Sequence, residues 1–161
     1  MEAENNLGGL LGKSSRLLAN RFNSDLVTLG LTVEQWSLLA LLWDTDHQTQ
    51  KMLQVALLKD KASITSLLHY LIQNAFVTKI QNPEDKRSFI VSLTPKGKEI
   101  KTQSIPLAMQ NIGYAIEGID ADALETTVET LKQIIQNLTK EKPYEKCTYY
   151  LITPKRAESN H

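Results

Sequence analysis

The sequence predicts a mainly α chain with a small β-hairpin, an α+β arrangement, and three observations predict it. Apolar residues recur with helical period in six stretches, alternation with period two is confined to residues 76–93, and Asn82-Pro83 breaks that stretch near its middle. With 161 residues the chain amounts to about one ordinary domain. Its 42% hydrophobic and 22% charged content is that of a globular protein, which excludes a disordered or collagen-like chain. The longest strongly apolar run, Trp36 to Trp43, is eight residues, well short of the roughly 20 that span a bilayer. A single cysteine, Cys147, cannot close an internal disulfide, and Met1 to Asn6 shows no basic segment ahead of an apolar core. A reduced, cytoplasmic protein without a membrane span is therefore expected.

The first helix is expected over residues 6–28, where Leu7, Leu10, Leu11, Leu17, Leu18 and Phe22 or Leu26 recur at helical spacing. Thr32-Val33-Glu34-Gln35 has the form of a capping box, and Trp36, Leu39, Ala40 and Trp43 follow on one face of a second helix ending near Asp44. Thr49 can cap a short third helix, from Gln50 to Leu57 or Leu58, whose Met52, Leu53, Ala56 and Leu57 share a side. After the possible cap Asp60, residues Ile64, Leu67, Leu68, Leu71 and Ile72 form one buried stripe of a fourth helix. Its opposite face carries Lys61, Ser63, Thr65, Ser66, His69 and Gln73, short hydrogen-bonding groups with little acid. Such a face can enter a DNA major groove, whose base edges offer donors and acceptors; a Ser/Thr-rich solvated surface reads the same way.

Strands are expected over 76–81 and 88–93, with Phe89, Val91 and Leu93 on one side. The hairpin tip between them is charged, and Asp85 there can bond the backbone that follows it or pair with Arg87. An Arg at a protruding tip is of the right type for a narrow minor groove. Thr94-Pro95 supplies a cap and a first-turn proline for a long helix carrying Ile100, Leu107, Ala108, Ile112, Ile116 and Ile119, with a kink expected at Pro106. Asp120 or Asp122 opens the last helix. There Leu124, Val128, Leu131, Ile135 and Leu138 make a narrow seam. That seam suits packing within the subunit or, as the preferred reading, against a second copy of the chain together with Leu7, Leu10 and Leu11.

Charge is unevenly placed although the formal total is zero. Residues 45–101 carry nine positive and five negative charges, a net of +4, while 1–44 and 102–161 are each −2. A basic lobe between acidic flanks suits contact with a polyanion; chance variation among solvated charges would give the same count.

The element order makes residues 32–94 a winged helix-turn-helix lobe, flanked by a helical dimerisation unit of 1–31 and 95–139 and followed by a tail, 140–161. Three segments resemble the multiple-antibiotic-resistance regulator (MarR) family of bacterial transcription factors, with the likeness running over roughly residues 7–139. Leu31-Thr32-Val33-Glu34-Gln35-Trp36 is similar to the family's entry to its second helix, and Asp60-Lys61-Ala62-Ser63-Ile64-Thr65-Ser66-Leu67-Leu68 to its recognition helix. Asn82-Pro83-Glu84-Asp85-Lys86-Arg87-Ser88 with Val91-Ser92-Leu93-Thr94-Pro95-Lys96-Gly97 is similar to its wing and the start of its fifth helix. The resemblance implies a homodimer on a pseudo-palindromic double-stranded operator, with recognition helices in successive major grooves and wings beside them. It further implies a repressor released by a small-molecule effector or an oxidant. Carried over by position, Lys61, Ser63, Thr65 and Ser66 face bases or nearby phosphates, with His69 on the same face. Arg87 enters the minor groove steadied by Asp85, and Lys86 and Lys51 are phosphate candidates. Two departures stand out. Ser66 occupies a place where many members carry Arg, and Ala75 one where Gly is common, so Asn74 is expected to take the left-handed conformation that closes the helix.

No enzyme, metal or cofactor is expected. His47, His69 and His161 are scattered, and no Gly-rich phosphate loop or Gly-x-Ser-x-Gly motif occurs. Cys147 reads as an exposed bystander rather than an oxidant sensor. The alternative function is a winged-helix protein-protein interaction module that does not bind DNA.

Overall fold

A computed structural model describes residues 6–139, which pack as two units dividing between Asn111 and Ile112. Cys147 and the rest of the tail, 140–161, lie outside the described residues.

In the first unit, α1 (Leu7–Leu26) starts where Asn6 Oδ1 accepts from the Gly9 amide at 2.8 Å. Only Phe22 and Leu26, near its end, are buried. A single 3-10 turn, Val27–Leu29, closes on Gly30 in the left-handed region and reverses the chain. The Thr32/Gln35 capping box then forms as expected: Thr32 Oγ1 accepts from Gln35 N, and Gln35 Oε1 from Thr32 N. Asn23 Oδ1 of α1 accepts from a further first-turn amide, that of Val33, at 2.8 Å. The resulting α2 (Val33–Asp44) buries Trp36, Leu38, Leu39, Ala40 and Leu42, residues from more than one side, so it is the central helix of the core. The Trp36 ring meets Phe22 edge-on at 5.0 Å and Trp43 at 5.8 Å.

Helices α3 (Gln50–Leu57) and α4 (Lys61–Gln73) follow, capped by Thr49 and Asp60. Ile64, Leu67, Leu68 and Leu71 of α4 are buried as the periodicity predicts, while Ile72, at the flank of the stripe, is exposed. The end of α4 departs from expectation. Asn74 keeps a negative φ and bonds the Tyr70 carbonyl through its side chain, and Ala75 itself takes the left-handed conformation, φ 58°. The chain must turn one residue later than Asn74 because Phe76 N closes back on Leu71 O at 2.8 Å.

The hairpin strands β2 (Val77–Gln81) and β3 (Phe89–Leu93) are joined by a third strand that the sequence did not signal, β1 (Gln48–Thr49), giving the antiparallel order β1-β3-β2. Two polar residues show no alternation, and their partners Val91 and Ile90 lie about forty positions on. Beyond β1 the pairing is continued by a side chain. Asp46 Oδ1 accepts from the Leu93 amide at 2.9 Å, and Ser92 Oγ donates to Asp46 Oδ2 at 3.3 Å. Val91 and Leu93 are buried, but Phe89 is 49% exposed because its end of the hairpin projects past the core. Thr94 Oγ1 accepts from Gly97 N at 3.0 Å and opens α5 (Pro95–Ile116), which continues through Pro106.

The second unit comprises the end of α5, a turn through Gly118 at φ 76°, and α6 (Ala121–Thr139). Asp120 Oδ2 caps α6 by accepting from the Asp122 and Ala123 amides. No residue of α6 is buried, and Leu138 is 79% exposed.

Candidate nucleic-acid interface

The apolar stripe of α4 decides what its other face does. With Ile64, Leu67, Leu68 and Leu71 turned into the core, helical periodicity leaves Lys61, Thr65, Ser66 and His69 exposed and Ser63 half-buried. The helix starts firmly, since Asp60 Oδ1 accepts from the Ser63 amide at 2.7 Å. That backbone bond, with the Ser63 side chain, holds the Asp60 carboxyl below the usual carboxylate range. The tight turn before it places Leu58 in the left-handed region. Lys59, on the same turn, pairs with Glu34 at 2.8 Å, so its charge is partly neutralised, whereas Lys51 and Lys61 are exposed and in no ion pair among the described residues.

One contact on this face was not read from the sequence. Gln50, the first residue of α3, donates from Nε2 to Thr65 Oγ1 at 2.7 Å, and Thr65 Oγ1 donates to the Lys61 carbonyl at 2.8 Å. A glutamine fifteen residues away leaves no periodic signal; only the packing of α3 on α4 brings the two together.

The wing tip is built by short polar side chains. Asn82 Oδ1 accepts from Glu84 N at 3.0 Å, and Asn82 Nδ2 donates to Ser88 Oγ at 2.9 Å. Gln81 Nε2 donates to the carbonyls of Lys86 and Ser88. Of the two expected roles for Asp85, the structure adopts the backbone one: Asp85 Oδ1 accepts from the Arg87 amide at 2.9 Å, and no carboxylate among the described residues pairs with the Arg87 guanidinium. Asp85 therefore shapes the tip without cancelling its charge. Lys86 and Arg87 are exposed there, at the far end of the sheet that α4 feeds.

Ser92, His47 and Asp46 come together at the wing's base, with Ser92 Oγ 3.3 Å from His47 Nε2. The serine is buried and its hydroxyl bonds the carboxylate directly, so the three tie the turn before β1 to β3 rather than present a nucleophile.

Outside the lobe the apolar residues expected at a subunit interface are open to solvent. Leu7 and Leu10 on α1 are 62% and 46% exposed, and Leu11 is partly so. On α6, Leu124, Val128, Leu131 and Ile135 are half-exposed and Leu138 is exposed.

Comparison with known proteins agrees with this geometry. The MarR family model matches residues 31–89, from the entry of α2 to the start of β3. The organic hydroperoxide resistance transcriptional regulator of Bacillus subtilis (strain 168) is 32% identical over 138 residues, covering 83% of this chain and 94% of that protein. A solved structure of a mutant MarR from Escherichia coli complexed with operator DNA superposes with a TM-score of 0.75 at 26% identity, covering 80% of this chain and 92% of that one. A MarR protein from Peptoclostridium difficile, 20% identical, shares the fold with a TM-score of 0.81 over 87% of this chain and 92% of that one.

Proposed function

We propose, from the premise that this chain belongs to the MarR family of transcriptional regulators, that it is a homodimeric repressor which binds a pseudo-palindromic DNA operator and is released by a small-molecule effector. The carrying observation is the solvent-exposed polar face of α4 beside a wing whose Arg87 is left without a carboxylate partner. Lys61, Ser63, Thr65, Ser66 and His69 meet base edges or adjacent phosphates in the major groove. Arg87 reaches the minor groove with the tip shaped by Asp85, and Lys51 and Lys86 meet phosphates. Residues 32–94 form the DNA-binding lobe. Residues 1–31 and 95–139 dimerise through Leu7, Leu10 and Leu11 on α1 and Leu124, Val128, Leu131, Ile135 and Leu138 on α6, whose exposure calls for a cover. The operator complex of the E. coli relative and the regulatory name of the B. subtilis one support the reading.

The chain catalyses nothing in this reading and works in the cytoplasm. Among the described residues no single helix is long and apolar enough to cross a membrane. Titration of a duplex library against salt tests the function. A regulator loses affinity steeply as salt rises, because contacted phosphates release counterions. Flat or undetectable binding would favour the protein-interaction module instead.

A further inference from the structure

Gln50 and Thr65 make a small proton-ordering device on the exposed face of α4, and it bears on which base that face accepts. An amide nitrogen only donates, so the 2.7 Å contact from Gln50 Nε2 occupies one lone pair of Thr65 Oγ1. The orientation of the amide is fixed by its second neighbour. The same nitrogen lies 3.4 Å from the Lys61 carbonyl oxygen, which would repel an amide oxygen in its place. Thr65 has one hydroxyl proton, and it lies on that carbonyl at 2.8 Å. Turning the proton outward would break this bond and leave two oxygen lone pairs facing each other across it. What remains for a ligand is one lone pair and the methyl group.

We infer that Gln50 is a positioning residue that makes Thr65 an acceptor-and-methyl reader, so that the base facing Thr65 is adenine, cytosine or thymine and not guanine; this rests on the DNA-binding reading above. Adenine N6 and cytosine N4 donate in the major groove and thymine offers its methyl, whereas guanine presents only the acceptors N7 and O6. An acceptor facing acceptors lacks a hydrogen bond, a handicap of about three- to tenfold in binding.

Selection from a random-sequence duplex library tests this with wild type, Thr65→Val and Gln50→Met. The operator position facing Thr65 is the one whose base preference changes in Thr65→Val, a substitution that keeps the branched shape and methyl but removes the lone pair. Guanine is expected to be depleted there in wild type. Thr65→Val should lose the adenine and cytosine preference and retain thymine. Gln50→Met removes the bond that holds Thr65 in this one rotamer; with the second helical rotamer open to it, the hydroxyl can leave the Lys61 carbonyl and donate, so guanine should return at that single position with the salt dependence unchanged. Guanine accepted there by wild type, guanine still excluded by Gln50→Met, or a Gln50→Met variant that weakens all sequences evenly would overturn the inference while leaving the regulator reading intact. Absence of duplex binding by wild type would overturn both.

Discussion

The indole N–H of Trp43 donates to the carbonyl of Gly97 over 2.8 Å, joining the last turn of α2 to the first turn of α5 across 54 residues. On another side, the missing side chain of Gly97 lets the start of α5 pass close against the backbone of Phe76. A Cβ there would lie 2.0 Å from the Phe76 carbonyl oxygen, a backbone atom that cannot move aside. Gly97→Ala should therefore destabilise the first unit by about 3 kcal/mol, at the upper end of overpacking costs. A urea unfolding midpoint equal to that of wild type would contradict the packing described.

Ala75 holds the opposite lesson, since it occupies a left-handed position, φ 58°, that glycine fills without steric cost. The site is exposed, so little packing is lost on removing the methyl. Ala75→Gly is expected to raise stability by up to about 1 kcal/mol, relief of the left-handed strain outweighing the added freedom of the unfolded chain. Calorimetry reads this as a higher Tm; a lower one would mean that the strain is not relieved.

Acid should act on the start of α4. The Asp60 carboxyl is held below its ordinary range chiefly by the Ser63 backbone amide, so its ionised form favours the folded state. That contribution is present above the ordinary carboxylate range and is lost as pH falls through the depressed folded value. Asp60→Asn keeps a capping oxygen but cannot titrate. Its Tm should fall less than that of wild type on acidification, and parallel curves would remove Asp60 as the cause.

Arg87→Ala should weaken duplex binding by roughly 1 to 3 kcal/mol, the loss typical of a groove contact, with the oligomeric state unchanged. Titration by fluorescence anisotropy gives the comparison. Affinity equal to wild type would remove Arg87 from the interface.

Leu131 sits midway along the open seam of α6, where a charge would have to be buried on pairing. Leu131→Glu should yield monomers in sedimentation equilibrium while circular dichroism keeps its helical signal. A variant that stayed dimeric would place the interface elsewhere.

Local signals were enough to read the six α-helices of the described residues and the hairpin. The capping box at Thr32, the caps at Thr49, Asp60 and Thr94, and the apolar stripe of α4 are written within a few residues of where they act. The polar face of α4 and the charged wing tip were legible for the same reason, because burying one side of a helix leaves the other side outside. Tertiary structure alone decided the rest. Strand β1, the Asp46 carboxylate that extends it along β3, and the Gln50 amide on Thr65 each join residues separated by tens of positions or by a whole turn between helices. Packing likewise left Phe89 outside the core, whereas the left-handed position fell to Ala75 rather than Asn74 through a local closing bond, from Phe76 to Leu71, that the residue types alone did not single out. Periodicity and capping are properties of neighbours in sequence, whereas these contacts depend on how helices and strands meet once packed.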